Sequence, residues 1–152
     1  MASTDRIEKK VLLRAPRSRV WRALTDSREF SQWFGVDLSG AFKPGARLQA
    51  PVTHEGYRHL TWDVTIDRME PERLLSWRWH PNAVDPGKDY STEPMTVVTF
   101  ELEEVEGGTM LTVVESGFDG IPPARREGAY RGNEAGWTAQ TESIKRHVEA
   151  AA

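Results

Sequence analysis

Few residues in this sequence have the type and spacing for chemistry. His54, Glu55 and His59 stand close together, in the order His-Glu-Gly-Tyr-Arg-His. A helical zinc site needs its two His four apart, so that both rings leave one face with the Glu between them. Here the offset is five and Gly56 disfavours a helix. On a strand, an odd offset sends the two rings to opposite faces. Metal binding is therefore not expected, and His59 stays a candidate only as a hydrogen-bonding group in a pocket. Glu115 is more pointed. It continues the alternation Leu111, Val113, Glu115 and so turns toward the apolar side of its strand. A carboxylate there needs partners, and Arg58, Arg78 or His59 could supply one. The bland alternative is a strand end that frays and lets Glu115 reach water.

The other candidates are aromatic. The sequence holds six Trp. Trp62, Trp77, Trp79 and Trp137, with Tyr57 and Phe100, offer broad apolar contact, and all but Phe100 add a polar N–H or O–H that could orient a bound molecule. Plain core packing is the competing reading for each. Trp77 and Trp79 share one strand face, so they point in or out together. Inward they favour a ligand site, and outward a protein-binding patch. Trp33 and Phe34 close a short helical stretch, as core or as the rim of a pocket. No Gly-rich phosphate loop or nucleophile elbow is present. There is no Cys, which removes thiolate chemistry and disulfides.

The elements that must carry these residues follow from periodicity. Residues 7–14 read as a short strand. Pro16 then opens a helix with Val20, Trp21 and Leu24 on one face. Asp26 or Ser27 can cap a second helix bearing Phe30, Trp33 and Phe34, with Gly35 as its stop. The pattern then changes to period two. Weak strands are expected over 36–38 and 46–52, an ambiguous stretch over 53–60, and firmer strands around Trp62–Ile66, 73–80, 95–103 and 109–116. Glu70-Pro71-Glu72 and Glu106-Gly107-Gly108 read as turns, and 81–94 as a long surface loop. Pro122-Pro123 starts a short helical piece. A final helix is expected over 133–149, capped by Asn133, with Trp137, Thr141, Ile144 and Val148 along one face. Short turns imply antiparallel pairing, and segregated helices imply an α+β domain.

A length of 152 residues is most simply one domain spanning 1–152. The net charge of −3 is mild and dispersed, which speaks against nucleic acid and against an anionic membrane surface. The charged amino end, MASTDRIEKK, is not a secretory signal, and no run is long enough to cross a bilayer. A soluble cytoplasmic protein is the expectation.

Four stretches carry a resemblance: APRSRVWRALTDSREFSQWFG, TIDRMEPERLLSWRW, VVTFELEEVEGGTMLTVVESGF and GWTAQTESIKRHVE. Their order and spacing resemble the START-like (SRPBCC) superfamily, the helix-grip fold. Within it they are most similar to the homologues of the activator of heat-shock-protein-90 ATPase, a branch with many small bacterial members. The resemblance implies a curved antiparallel sheet of about six to seven strands wrapped around a long carboxy-terminal helix, with two short helices after the first strand. It also implies a cavity between sheet and helix that takes an apolar or aromatic small molecule, with no cofactor. Thr141 replaces the Leu usual on the gripped helix and could give that cavity a polar point. Two other functions stay open: a chaperone-associated interaction module, and a cyclase- or hydrolase-type enzyme using the same cavity. Monomer and homodimer are both compatible with the sequence.

Overall fold

A computed structural model of the chain describes residues 6–81 and 89–150. Half of the loop expected over 81–94, namely 82–88, lies outside the described residues, as do the first five of the charged amino end. The elements are β1 (Arg6–Leu13), α1 (Arg17–Thr25), α2 (Ser27–Phe34), β2 (Arg47–Pro51), β3 (Thr61–Glu70), β4 (Leu74–Trp79), β5 (Thr96–Val105), β6 (Gly108–Ser116), a 3-10 turn (Phe118–Gly120) and α3 (Pro123–Ala150). The six strands form one sheet in the order β1-β6-β5-β4-β3-β2, antiparallel throughout. This is the α+β helix-grip architecture, with the inner face of the sheet turned toward α3.

Alternation sets that inner face. Trp62, Val64 and Ile66 on β3, Leu75 and Trp77 on β4, and Val98, Phe100 and Leu102 on β5 are all buried. Leu111, Val113 and Glu115 continue the face on β6. The register slips between Ile66 and Arg68, so Asp67 is an extra residue opposite β4. Such a bulge bends its strand and helps curve the sheet. The turn from β5 to β6 depends on Gly108, where a Cβ would meet Leu13 O at 2.1 Å. No other residue fits there without moving the end of β1.

The first helices form as their signals predict. Asp26 accepts from Glu29 N at 3.0 Å at the start of α2, and Gly35 ends it in the left-handed conformation, φ 91°. The weak strand over 36–38 shrinks to a single bridge, Val36 to Val52. The ambiguous stretch 53–60 is a pair of turns, closed by Tyr57 N to His54 O and Leu60 N to Tyr57 O, both 3.0 Å.

The last helix departs most from expectation. It does not begin at Asn133 but at Pro123, and it runs unbroken for 28 residues. Asn133 is therefore mid-helix rather than a cap. Gly128, Gly132 and Gly136 weaken the local helical signal, each by about 1 kcal/mol relative to Ala. Burial of Ala129, Trp137, Ile144 and Val148 against the sheet overrides that cost. The helix also covers the free edge of β1: Tyr130 donates to Arg6 O at 3.1 Å and Lys145 to Leu12 O at 3.2 Å. Gln140 and Ser143 donate to Phe34 O and Trp33 O at 2.9 and 2.6 Å, pinning α2 to α3. At its amino end, Arg125 pairs with Glu93 at 2.7 Å and donates to Pro81 O at 2.9 Å, joining both flanks of 82–88 to the helix.

Candidate functional site

Aromatic rings occupy the space between sheet and α3. Phe30 stacks on Phe34 at 4.7 Å between centroids and meets Trp33, Trp62 and Phe42 at 5.2, 5.0 and 5.3 Å. Trp77 is fully buried at the centre. It lies 5.5 Å from Trp62, 5.0 Å from Phe100 and 6.4 Å from Trp137. Both Trp77 and Trp79 thus face inward, and the outward patch that a protein partner would use is not formed by them.

The polar handles of these rings divide into two groups. Trp33 donates to Ala23 O at 2.7 Å, and Trp79 and Trp137 each donate to Glu115 at 2.8 Å. Trp62 and Trp77 differ. Their indole N–H groups are buried and meet no acceptor among the described residues. An unmet buried donor costs about 1–3 kcal/mol, so natural cores rarely keep two of them side by side.

Glu115 is 0% exposed, as its alternation predicts. Its partners are not the expected ones. Oε1 accepts from Trp137 Nε1 at 2.8 Å and Asn133 Nδ2 at 2.9 Å. Oε2 accepts from Trp79 Nε1 at 2.8 Å, Thr96 Oγ1 at 2.5 Å and the same Asn133 amide at 3.0 Å. Arg78 instead lies 3.7 Å from Asp67, on the other side of β4, and Arg58 reaches the Thr53 carbonyl. The carboxylate is held by neutral donors from β4, β5 and α3, so it clips the helix to the sheet. Both oxygens are occupied by side-chain donors. Sequence reasoning missed Thr96 and Asn133. The available signals were an inward-phased Thr at a strand start and an Asn inside a helix, where it is disfavoured unless its amide is engaged.

Three candidates do not join this cluster. Tyr57 is 53% exposed and His59 is also exposed, because Gly56 (φ 90°) breaks the strand and turns 53–60 out of the sheet. Thr141 is half-buried, but its hydroxyl donates back to the helix, to Trp137 O at 2.9 Å and Thr138 O at 3.1 Å, and so offers no polar point to the interior. Trp33, Phe34, Trp62, Trp77, Trp79, Phe100, Glu115 and Trp137 do come together.

A second polar cluster ties the three helices together at the outside. Glu29 of α2 contacts Arg19 and Arg22 of α1, each at 2.5 Å, and His147 of α3 at 3.0 Å. Burial alone would raise the Glu29 carboxyl. Hydrogen bonds from His147, Arg22 and Arg19 outweigh it and hold the group below its ordinary value. A depressed carboxyl adds stability above its unfolded value and loses it as pH falls through the folded one. The wild type's advantage over Glu29→Gln should therefore be full above about pH 4.5 and shrink in more acid solution. Urea unfolding at pH 7 and pH 3 checks this, and a pH-independent difference would refute it.

The sequence profile of the family described as activator of Hsp90 ATPase homolog 1-like protein matches residues 14–149. The chain belongs to this family. Among solved structures, a protein from Mesorhizobium loti is 24% identical, with 97% of this chain and 98% of that one covered and a TM-score of 0.76. A protein of the dynemicin biosynthetic locus is 28% identical with a TM-score of 0.74; the match covers 97% of this chain but 48% of that one, so the chain spans about half of that protein. A protein from Colwellia psychrerythraea, solved as a dimer in solution, is 19% identical over 95% of this chain and 96% of that one, TM-score 0.71. No curated protein matches the chain. Membership in the activator homologue family accounts for the helix-grip architecture. Among the described residues, no helix is long and apolar enough to cross a membrane.

Proposed function

We propose that this domain takes up an apolar or aromatic small molecule between the inner face of the sheet and α3, against Phe34, Trp62, Trp77, Phe100 and Trp137. The observation that carries this reading is the pair of unmet indole N–H groups, Trp62 and Trp77, buried among aromatic and aliphatic side chains. Apolar area supplies the driving force for such binding, and a small number of polar groups fix orientation. The inward direction of Trp77 and Trp79 supports a ligand over a partner protein. The relative from the dynemicin biosynthetic locus supports it from another side, since a small-molecule binder has a use in such a setting.

Native mass spectrometry of gently purified protein, compared with the same sample denatured, tests the reading. The expected result is an added small-molecule mass that is lost on denaturation, or one that appears when aromatic compounds are supplied. A clean protein mass under both conditions, with no rise in Tm across an aromatic panel, would overturn it. The family description favours a second reading, a module that acts on the heat-shock-protein-90 ATPase. Unchanged chaperone ATPase activity on adding this protein would remove that one.

A further inference from the structure

The unmet donors also narrow the chemistry of the ligand, an inference that rests on the binding reading above. Trp62 and Trp77 stand 5.5 Å apart and nearly perpendicular, at 83°. An edge-on indole pair offers at best a weak N–H to ring contact, which leaves both donors short of an oxygen. A carbonyl oxygen has two lone pairs and can accept from two donors at once.

Phe34 shows where such a group would stand. Its ring lies within contact of four indoles: Trp33 at 5.5 Å, Trp62 at 5.8 Å, Trp77 at 6.0 Å and Trp137 at 6.4 Å. Unlike Trp62, Trp77 and Trp137, it is only half-buried, so its outer side meets solvent. Its backbone is held by Gln140 at one carbonyl and followed by the left-handed Gly35. A rotation of the side chain would leave that backbone in place and give up its stacking on Phe30 at 4.7 Å. A ligand ring in its place would touch both indoles that lack an acceptor.

Charge sets the remaining limit. Among the described residues no cationic side chain lies among these rings, and Trp77 is one ring away from Trp79 and Trp137, whose N–H groups already serve the Glu115 carboxylate. An anionic ligand would be buried without a counter-charge and close to another anion. We infer that Phe34 is a movable plug, and that the ligand is a neutral aromatic carbonyl compound whose oxygen accepts from Trp62 and Trp77.

The test uses three single-ring probes: acetophenone, ethylbenzene as its counterpart without the oxygen, and benzoate as its anionic counterpart. Binding is followed in the full chain through the 1H–15N signals of the indole N–H groups, assigned with Trp62→Phe and Trp77→Phe. Acetophenone should move the Trp62 and Trp77 signals downfield and leave those of Trp79 and Trp137 closer to their original positions. One hydrogen bond should make acetophenone bind about tenfold tighter than ethylbenzene. That ratio should fall to about one in the double variant Trp62→Phe/Trp77→Phe, where neither donor remains. Phe34→Ala should bind acetophenone more tightly than the wild type. Equal affinity for acetophenone and ethylbenzene would overturn the carbonyl inference and leave the ligand reading standing. Benzoate binding as tightly as acetophenone would overturn the neutral class. No binding of any probe, even to Phe34→Ala, would remove both the inference and the reading beneath it.

Discussion

Glu115→Gln should lower the stability of this domain by about 2–4 kcal/mol, although it changes one atom and removes a charge from the interior. All the side-chain groups around the carboxylate are donors: two indoles, one amide and one hydroxyl. A Gln side chain must put an NH2 group where one oxygen stood. If it replaces Oε1, the Trp137 indole faces a donor; if it replaces Oε2, the Trp79 indole does. Thr96 can rotate its hydroxyl to accept, and the indoles cannot. At least one indole and one Asn133 contact are lost in either orientation. Each such bond to a carboxylate is worth about 1.5–3 kcal/mol, and the smaller cost of burying a neutral amide offsets part of the loss. For a chain of this size that corresponds to a fall in Tm of about 10 °C. Asn133→Asp should be worse, since it sets a second carboxylate against the first. A Tm for Glu115→Gln within about 2 °C of the wild type would mean that the clip contributes little.

Trp77→Ala should cost about 3–5 kcal/mol, and Trp77→Phe far less. Trp77 is fully buried and touches Phe30, Phe34, Trp62, Trp79, Phe100 and Trp137. Truncation to Ala leaves a cavity at the centre of that group, and the surrounding rings can close it only in part. Phe keeps most of the apolar area. It also removes an N–H that has no acceptor, and this offsets the lost contact. Chemical denaturation of the two variants tests the difference. Free indole added to Trp77→Ala should restore part of the lost stability by filling the cavity, since a ligand that binds only the folded state stabilises it. Equal losses for Ala and Phe would mean that the N–H, rather than the volume, matters at this position.

Local pattern carried much of the outcome. Period two set which residues share a face, Trp77 with Trp79 and Leu111 and Val113 with Glu115, but left the Trp pair free to point either way and Glu115 free to reach water at a strand end; packing against α3 turned them inward. The stop at Gly35 was equally readable and the cap was narrowed to Asp26 or Ser27, because each rests on the chemistry of a residue beside a helix end. Asn133 shows where such reasoning fails. Asn is a good cap and a poor interior residue, so the local reading starts a helix there. The helix runs through it because the apolar positions on either side of it pack on the sheet, and because Glu115, 18 positions back in the chain, takes its amide.

Periodicity and turn chemistry, acting over a few neighbouring residues, were enough for the α+β class, for antiparallel pairing across the short turns and for the shared face of Trp77 and Trp79. Only the tertiary structure decided which donors meet Glu115, that Tyr57 and His59 stay outside, that the Thr141 hydroxyl turns back on its own helix, and that Trp62 and Trp77 are left without acceptors. Those outcomes depend on which groups from distant segments share a few ångströms of buried space. A donor's partner is set by that three-dimensional closure, and no local pattern records it.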